Sequence, residues 1–135
     1  RNGPNRNMNT GYVLGARVPA QVTAAGMLML AMRGDEALQH WMATRALRIF
    51  TPHTIADKAL MLREMARIRA QDWALSEQQL DLNSRGIAVP LRDRHGALAG
   101  ALNITMPMGQ ESSKDAIARV LPVLREAAQG LRNLI

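Results

Sequence analysis

Asn103 and Thr105 stand two residues apart in "AGALNITMPM", residues 99–108. On a strand, that spacing turns both side chains to one face. An amide and a hydroxyl offer donors and acceptors without charge, a pairing suited to holding a polar group of a small molecule. Ala99 and Ala101 share their face, and the preceding segment "RGIAVPLRD" presents Gly86 and Ala88 in the same rhythm. If "DRHG" turns the chain so that Arg92 pairs with Ala97, Ala88 lies opposite Ala101 and Gly86 opposite Asn103. One hairpin face is then small and uncharged. The other gathers Ile87, Val89, Leu91, Leu98, Leu102 and Ile104, which must pack beneath helices. The small face has two readings: another element packs closely on it, or the missing side-chain volume is a concavity with Asn103 and Thr105 as its polar fixtures. Side-chain pattern leaves both open.

Catalytic arrangements are poorly represented. His40, His53 and His95 fall in a helix, a helix entry and a turn, without the nucleophile-and-base pairing that covalent catalysis needs. His53 lies near Asp57, but no second histidine or carboxylate pair has metal-ligand spacing, and the chain has no cysteine. The expectation is a protein that is not an enzyme and that carries no metal or cofactor.

At 135 residues the chain fits one domain, and 47% hydrophobic residues suffice for a core. Aromatics make up only 3%, and nine methionines fill space with adaptable side chains. No apolar run reaches the ~20 residues that cross a bilayer, and the polar start lacks a signal-peptide core, so a cytoplasmic protein without membrane contact is expected. The net charge of +6 rests on fifteen Arg and two Lys. It permits nucleic-acid binding, yet the arginines are spread along the chain beside acids, as in "LREMARIRAQD", and read first as solvated helix faces.

The elements that position these residues follow from capping and periodicity. "RNGPNRNMNT" reads as a loop or frayed end, and "GYVLGARVP" as a short strand. Thr23 caps a helix over "AAGMLMLAM", Gly34 stops it, and Asp35 caps a second helix, "EALQHWMATRAL". Thr54 with Asp57 forms a capping-box pattern opening a third. "WALSEQQ" is extended, "LDLNS" is a short turn or a helical link, and the hairpin follows. Ser112 with Asp115 starts a last amphipathic helix, in which Pro122 should produce a kink. This order predicts an α+β domain on an antiparallel sheet.

Three stretches resemble the IclR family of bacterial transcriptional regulators: "GARVPAQVTAAGMLMLA", "FTPHTIADKALMLREMARIRAQDWALSEQQ" and "SRGIAVPLRDRHGALAGALNITMP". Nearly the whole chain is covered, in order. The resemblance is to the C-terminal effector-binding domain, so residues 1–135 are expected to form that one domain, with the family's N-terminal winged helix-turn-helix and the first part of the effector domain absent, as in a fragment. Its "TAAG" is similar to family regulators of protocatechuate and p-hydroxybenzoate catabolism. The resemblance implies a GAF- or profilin-like antiparallel sheet flanked by helices, with ligand contacts at Ala24, Ala25, Ser76, Gly86, Asn103 and Thr105. Capping by Thr23 would leave the N–H groups of Ala24, Ala25 and Gly26 as an anion site, with Met27, Met106 or Leu80 as apolar walls. Ser76 and Gly86 stand where the family has an acidic residue and Ser or Cys, which implies a larger, less polar pocket and a carboxylate bulkier than a short keto acid, such as an aromatic one. The implied partners are that small carboxylate, DNA through the absent domain, and further copies in a homodimer or homotetramer. The alternatives are a GAF-like module of another signalling protein and a basic nucleic-acid-binding domain.

Overall fold

Four helices and three strands follow one another along residues 14–135, the part of the chain described in this computed structural model. The predicted loop over residues 1–10 and the first three residues of the predicted strand "GYVLGARVP" lie outside the described residues. From Leu14 to Pro19 the chain forms a turn and then irregular backbone, not a strand. A 3₁₀ turn, Ala20–Val22, leads into helix α1, Ala24–Ala31. Helix α2 spans Asp35–Ala43 and α3 spans Lys58–Gln71. Strands β1 (Ala74–Glu77), β2 (Ser84–Arg92) and β3 (Leu98–Pro107) form an antiparallel sheet in that order. Helix α4, Ser113–Leu131, closes the chain with a 3₁₀ turn, Arg132–Leu134. The fold is the expected α+β one, with an antiparallel sheet between helices. None of the described helices is long and apolar enough to cross a membrane.

Two helix starts differ from expectation. Asp35 is already the first residue of α2, and Gly34, at φ 89°, holds the cap position that an L side chain would strain to adopt. In α3 the cap is Asp57, whose carboxylate accepts the Leu60 N–H at 3.0 Å. Thr54 is drawn away by a tertiary bond: its hydroxyl donates to the Gln79 carbonyl at 2.6 Å and accepts the N–H groups of Phe50 and Thr51. Thr23 and Ser112 cap α1 and α4 as expected. Helix α4 continues past Pro122, which is exposed and leaves the Ala118 carbonyl without its intrahelical partner at a water-facing position.

The hairpin register is offset from the predicted one. Asp93 builds a longer turn, its carboxylate accepting the His95 and Ala97 N–H groups, so Arg92 pairs with Leu98. A bulge next to Leu91 then passes over Ala99. Gly86 therefore lies across from Thr105, Ala88 from Asn103 and Pro90 from Ala101. The two single-residue offsets sum to one side-chain period, so the facing of every residue beyond the bulge is preserved.

Each sheet face has its own core. Ala74 and Ala88 meet α1 through Ala24, Leu28 and Ala31, behind which Met61, Met65 and Ile68 of α3 and Leu38 of α2 are fully buried. On the reverse face Ile87 and Val89 pack on Val120, Leu121 and Leu124 of α4. Leu98 and Ile104, expected beneath helices, are 38% and 36% exposed, because α4 lies chiefly over β2 and not β3.

Candidate functional site

The site is built where α1 begins. Thr23 accepts the Gly26 N–H on its hydroxyl at 3.1 Å, fixing the first turn of the helix. The preceding 3₁₀ turn folds directly under it: a Cβ on Gly26 would lie 2.2 Å from the Ala20 carbonyl oxygen. Ser76, buried on β1, donates its hydroxyl proton to the Val22 carbonyl at 2.8 Å and pins that turn to the sheet. Gly86 on β2 lets the helix start approach, since a Cβ there would stand 3.3 Å from the Ala24 methyl. The space saved at Gly86 is thus shared between the helix contact and the opening beside it.

That opening is a cavity of about 170 Å³, and all six residues singled out beforehand line it: Ala24, Ala25, Ser76, Gly86, Asn103 and Thr105. Both readings of the small face therefore hold, in different places. Ala88 is packed under α1, while Gly86, Asn103 and Thr105 border open space. Asn103 is exposed at the rim and donates its amide to the Thr105 hydroxyl at 3.2 Å. The apolar walls are Val18, Val22 and Leu80. Of the expected wall residues only Leu80 serves. Met27 is fully buried in the core beneath α1, and Met106 faces α4, where its sulfur meets Arg119.

Gln79 and Ser84 also line the cavity and had not been singled out. Gln79 is buried because the loop before α3 folds onto it: its side-chain oxygen accepts the Ile55 N–H at 3.2 Å, and its amide reaches the Met27 sulfur at 3.6 Å. Nothing in the polar run "SEQQ" separates it from Gln78; only the contact across 24 residues does.

Among the described residues, no ionisable side chain lines the cavity. Its electrostatics come from the helix end, which has no acidic residue in its first turn. The Gly26 N–H is taken by Thr23, so the expected three-donor anion site is reduced to Ala24 and Ala25, whose N–H groups have no intrahelical acceptor. The residues that line this space carry these two donors, the amide of Asn103 and the hydroxyls of Thr105 and Ser84, beside the aliphatic side chains of Val18, Val22 and Leu80. This arrangement can bind an anionic group at one end and hydrogen-bond a polar substituent at the other. It holds no acid, base or nucleophile pair for catalysis. His40, His53 and His95 are exposed on three separate segments, and among the described residues no three His, Asp or Glu cluster closely enough to hold a metal.

Across the sheet from the cavity lies a polar cluster. Arg85, 2% exposed, donates from Nε to Glu77 at 2.6 Å and from Nη2 to the Glu111 carbonyl at 3.1 Å, while its Nη1 has no partner among the described residues. Ser113, at the start of α4, donates to the other Glu77 oxygen. Glu111 takes Arg119 through two bonds, which hold its carboxyl below the usual carboxylate range. Cavity residues Ser76 and Gly86 are thus chain neighbours of Glu77 and Arg85.

Comparison with known proteins bears on this arrangement. The chain is 34% identical over 125 residues to the Pca operon regulatory protein of Acinetobacter baylyi, a match covering 93% of this chain and 45% of that protein. It is equally 34% identical to the p-hydroxybenzoate hydroxylase transcriptional activator of the same organism, covering 93% of this chain and 46% of the activator. The chain spans about half the length of these curated relatives. Among solved structures, the inducer-binding domain of the transcription factor PobR from Acinetobacter, a double mutant in complex with 3-hydroxybenzoic acid, superposes with a TM-score of 0.86 at 33% identity, over 91% of this chain and 70% of that one. The C-terminal domain of the Escherichia coli transcriptional regulator KdgR gives a TM-score of 0.78 at 25% identity, over 87% and 71%. Residues 3–133 match the family described as bacterial transcriptional regulator IclR, C-terminal. The chain belongs to the C-terminal domain family of the bacterial IclR transcriptional regulators.

Proposed function

We propose that this domain is the sensor of an IclR-type transcription factor and takes a small aromatic carboxylate into the cavity between the start of α1 and the face of β1–β3. One observation carries the reading: Ala24, Ala25, Ser76, Gly86, Asn103 and Thr105 line a single uncharged cavity of about 170 Å³ at an uncompensated helix N-terminus. An apolar cavity of about 150 Å³ accepts benzene, so the space suits one ring better than a two- or three-carbon keto acid. The carboxylate would sit at the Ala24 and Ala25 N–H groups, where a helix end contributes up to about 2 kcal/mol in a partly buried site. A ring hydroxyl would meet Asn103 and Thr105. The hydroxybenzoate held by the PobR domain supports this class of ligand.

In the whole regulator the ligand would act by binding one arrangement of the domains better than another, in a homodimer or homotetramer, and so change how attached winged helix-turn-helix domains meet DNA in the cytoplasm. The test is calorimetric titration with 3- and 4-hydroxybenzoate, benzoate, pyruvate and glyoxylate. A hydroxybenzoate should bind best, and Asn103→Leu with Thr105→Val should weaken it by about tenfold or more, the worth of one or two hydrogen bonds. Benzoate, lacking the hydroxyl, should be indifferent to that pair of changes. Since none of the described cavity residues is ionisable, affinity should be level near neutral pH and fall only as the ligand carboxyl protonates, near pH 4. Stabilisation by glyoxylate or pyruvate alone, or full affinity in the double variant, would overturn the assignment.

A further inference from the structure

At the far end of β2 from the cavity, three guanidinium groups converge. Arg92 ends β2, Arg125 lies on α4 and Arg132 follows it, and all three line one cleft of about 240 Å³ floored by Val89, Pro90 and Ala128. Among the described residues Asp72 is the one carboxylate in its lining, so these residues give the cleft a net charge of +2. Asp72 holds Arg92 through two parallel bonds of 2.8 Å and is thereby spent. The other two arginines are barely engaged. Arg132 donates from Nε to the Asp93 carbonyl at 3.1 Å, and Arg125 reaches the Gln71 carbonyl at 3.5 Å. Their remaining N–H groups have no acceptor among the described residues.

A structural role accounts for only part of this. The Asp93 carbonyl already accepts the Gly96 N–H at 3.0 Å, and the Arg125 contact sits at the limit of hydrogen-bond length. Neither bond needs three cations gathered on one small cleft, where their mutual repulsion opposes folding unless an anion offsets it. Guanidinium forks match the oxygens of phosphate, and a phosphate near neutral pH carries between one and two negative charges in a compact volume. At about 30 Å³ per water, the cleft has room for such a group and part of whatever bears it.

We propose that this cleft is a second binding site, separate from the sensor cavity, for a compact phosphate oxyanion: inorganic phosphate or the phosphoryl group of a monoester. Arg92, fixed by Asp72, forms its rigid side, and Arg125 and Arg132 close on the anion with their free N–H groups.

The test titrates the 135-residue chain with inorganic phosphate, phenyl phosphate and acetate at constant ionic strength, following backbone amide shifts and melting temperature. Phosphate should saturate one site, moving amides around residues 71–73, 92–96 and 125–132, with acetate far weaker. Arg125→Gln and Arg132→Gln should each cost about tenfold in affinity, the scale of a lost charge-assisted bond. The charge-matched pair Arg33→Gln and Arg63→Gln, on exposed arginines elsewhere, should leave phosphate binding unchanged. Tighter binding of phenyl phosphate would identify an ester as the ligand, and tighter binding of the free ion would identify phosphate itself. Three outcomes overturn the proposal: shifts scattered over the surface without saturation, equal weakening by the charge-matched pair, or acetate competing on equal terms.

Discussion

Gly26 is the third residue of α1, where alanine is ordinarily the better choice by about 0.5–1 kcal/mol. Here the sign reverses, because the added Cβ would meet a main-chain oxygen 2.2 Å away, and a main-chain atom cannot rotate aside as a side-chain end can. Gly26→Ala should destabilise the domain by about 1–3 kcal/mol, read as a lower urea midpoint. A midpoint unchanged or raised would mean that the 3₁₀ turn is not seated under α1. The contact joins residues six apart across a helix cap, so helical periodicity says nothing about it. The roles of Thr23 and Ser112, by contrast, are legible in the chain, because a cap acts on an N–H only three residues away. Gln79 was illegible for the opposite reason: its burial is imposed by a loop far away in the sequence.

That loop is an element in its own right. Thr51 and Thr54 reach across to the carbonyls of Gln78 and Gln79, and Thr54 also gathers the N–H groups of Phe50 and Thr51. Replacing Thr54 by Val keeps the shape and strands these main-chain groups, so Thr54→Val should cost about 2–3 kcal/mol, and Thr54→Ser should recover most of it. Equal stability of Val and Ser variants in a urea titration would contradict the latch. The same residue shows where local rules mislead: Thr-x-x-Asp has the spacing of a helix cap, but the tertiary bond to Gln79 takes Thr54 and leaves the helix to begin after Asp57. In the hairpin, alternation sets the faces, while the turn length depends on Asp93. A side-chain carboxylate that holds two N–H groups lengthens a turn without altering the hydrophobic pattern.

At the scale of the molecule, the sheet separates two cores. Met65→Ala on the α1 side and Leu124→Ala on the α4 side should each cost roughly 2–4 kcal/mol, and the double variant should match their sum within about 0.5 kcal/mol. Strong coupling in that cycle would mean the cores communicate through the sheet. Fold class and the small face of the hairpin were legible because both rest on period and capping. The share of that face that is packed and the share that is open were not, because they depend on where α1 lands. Family membership replaces the generic signalling module as the setting for the site. Along β2, Ser84, Gly86 and Ala88 look toward the sensor side, and Arg85, Ile87 and Val89 look away from it. A strand with both flanks so fully engaged is a party wall. Gly86 on the cavity side and Arg85, tethered to the Glu111 carbonyl just before α4, share one stretch of its backbone.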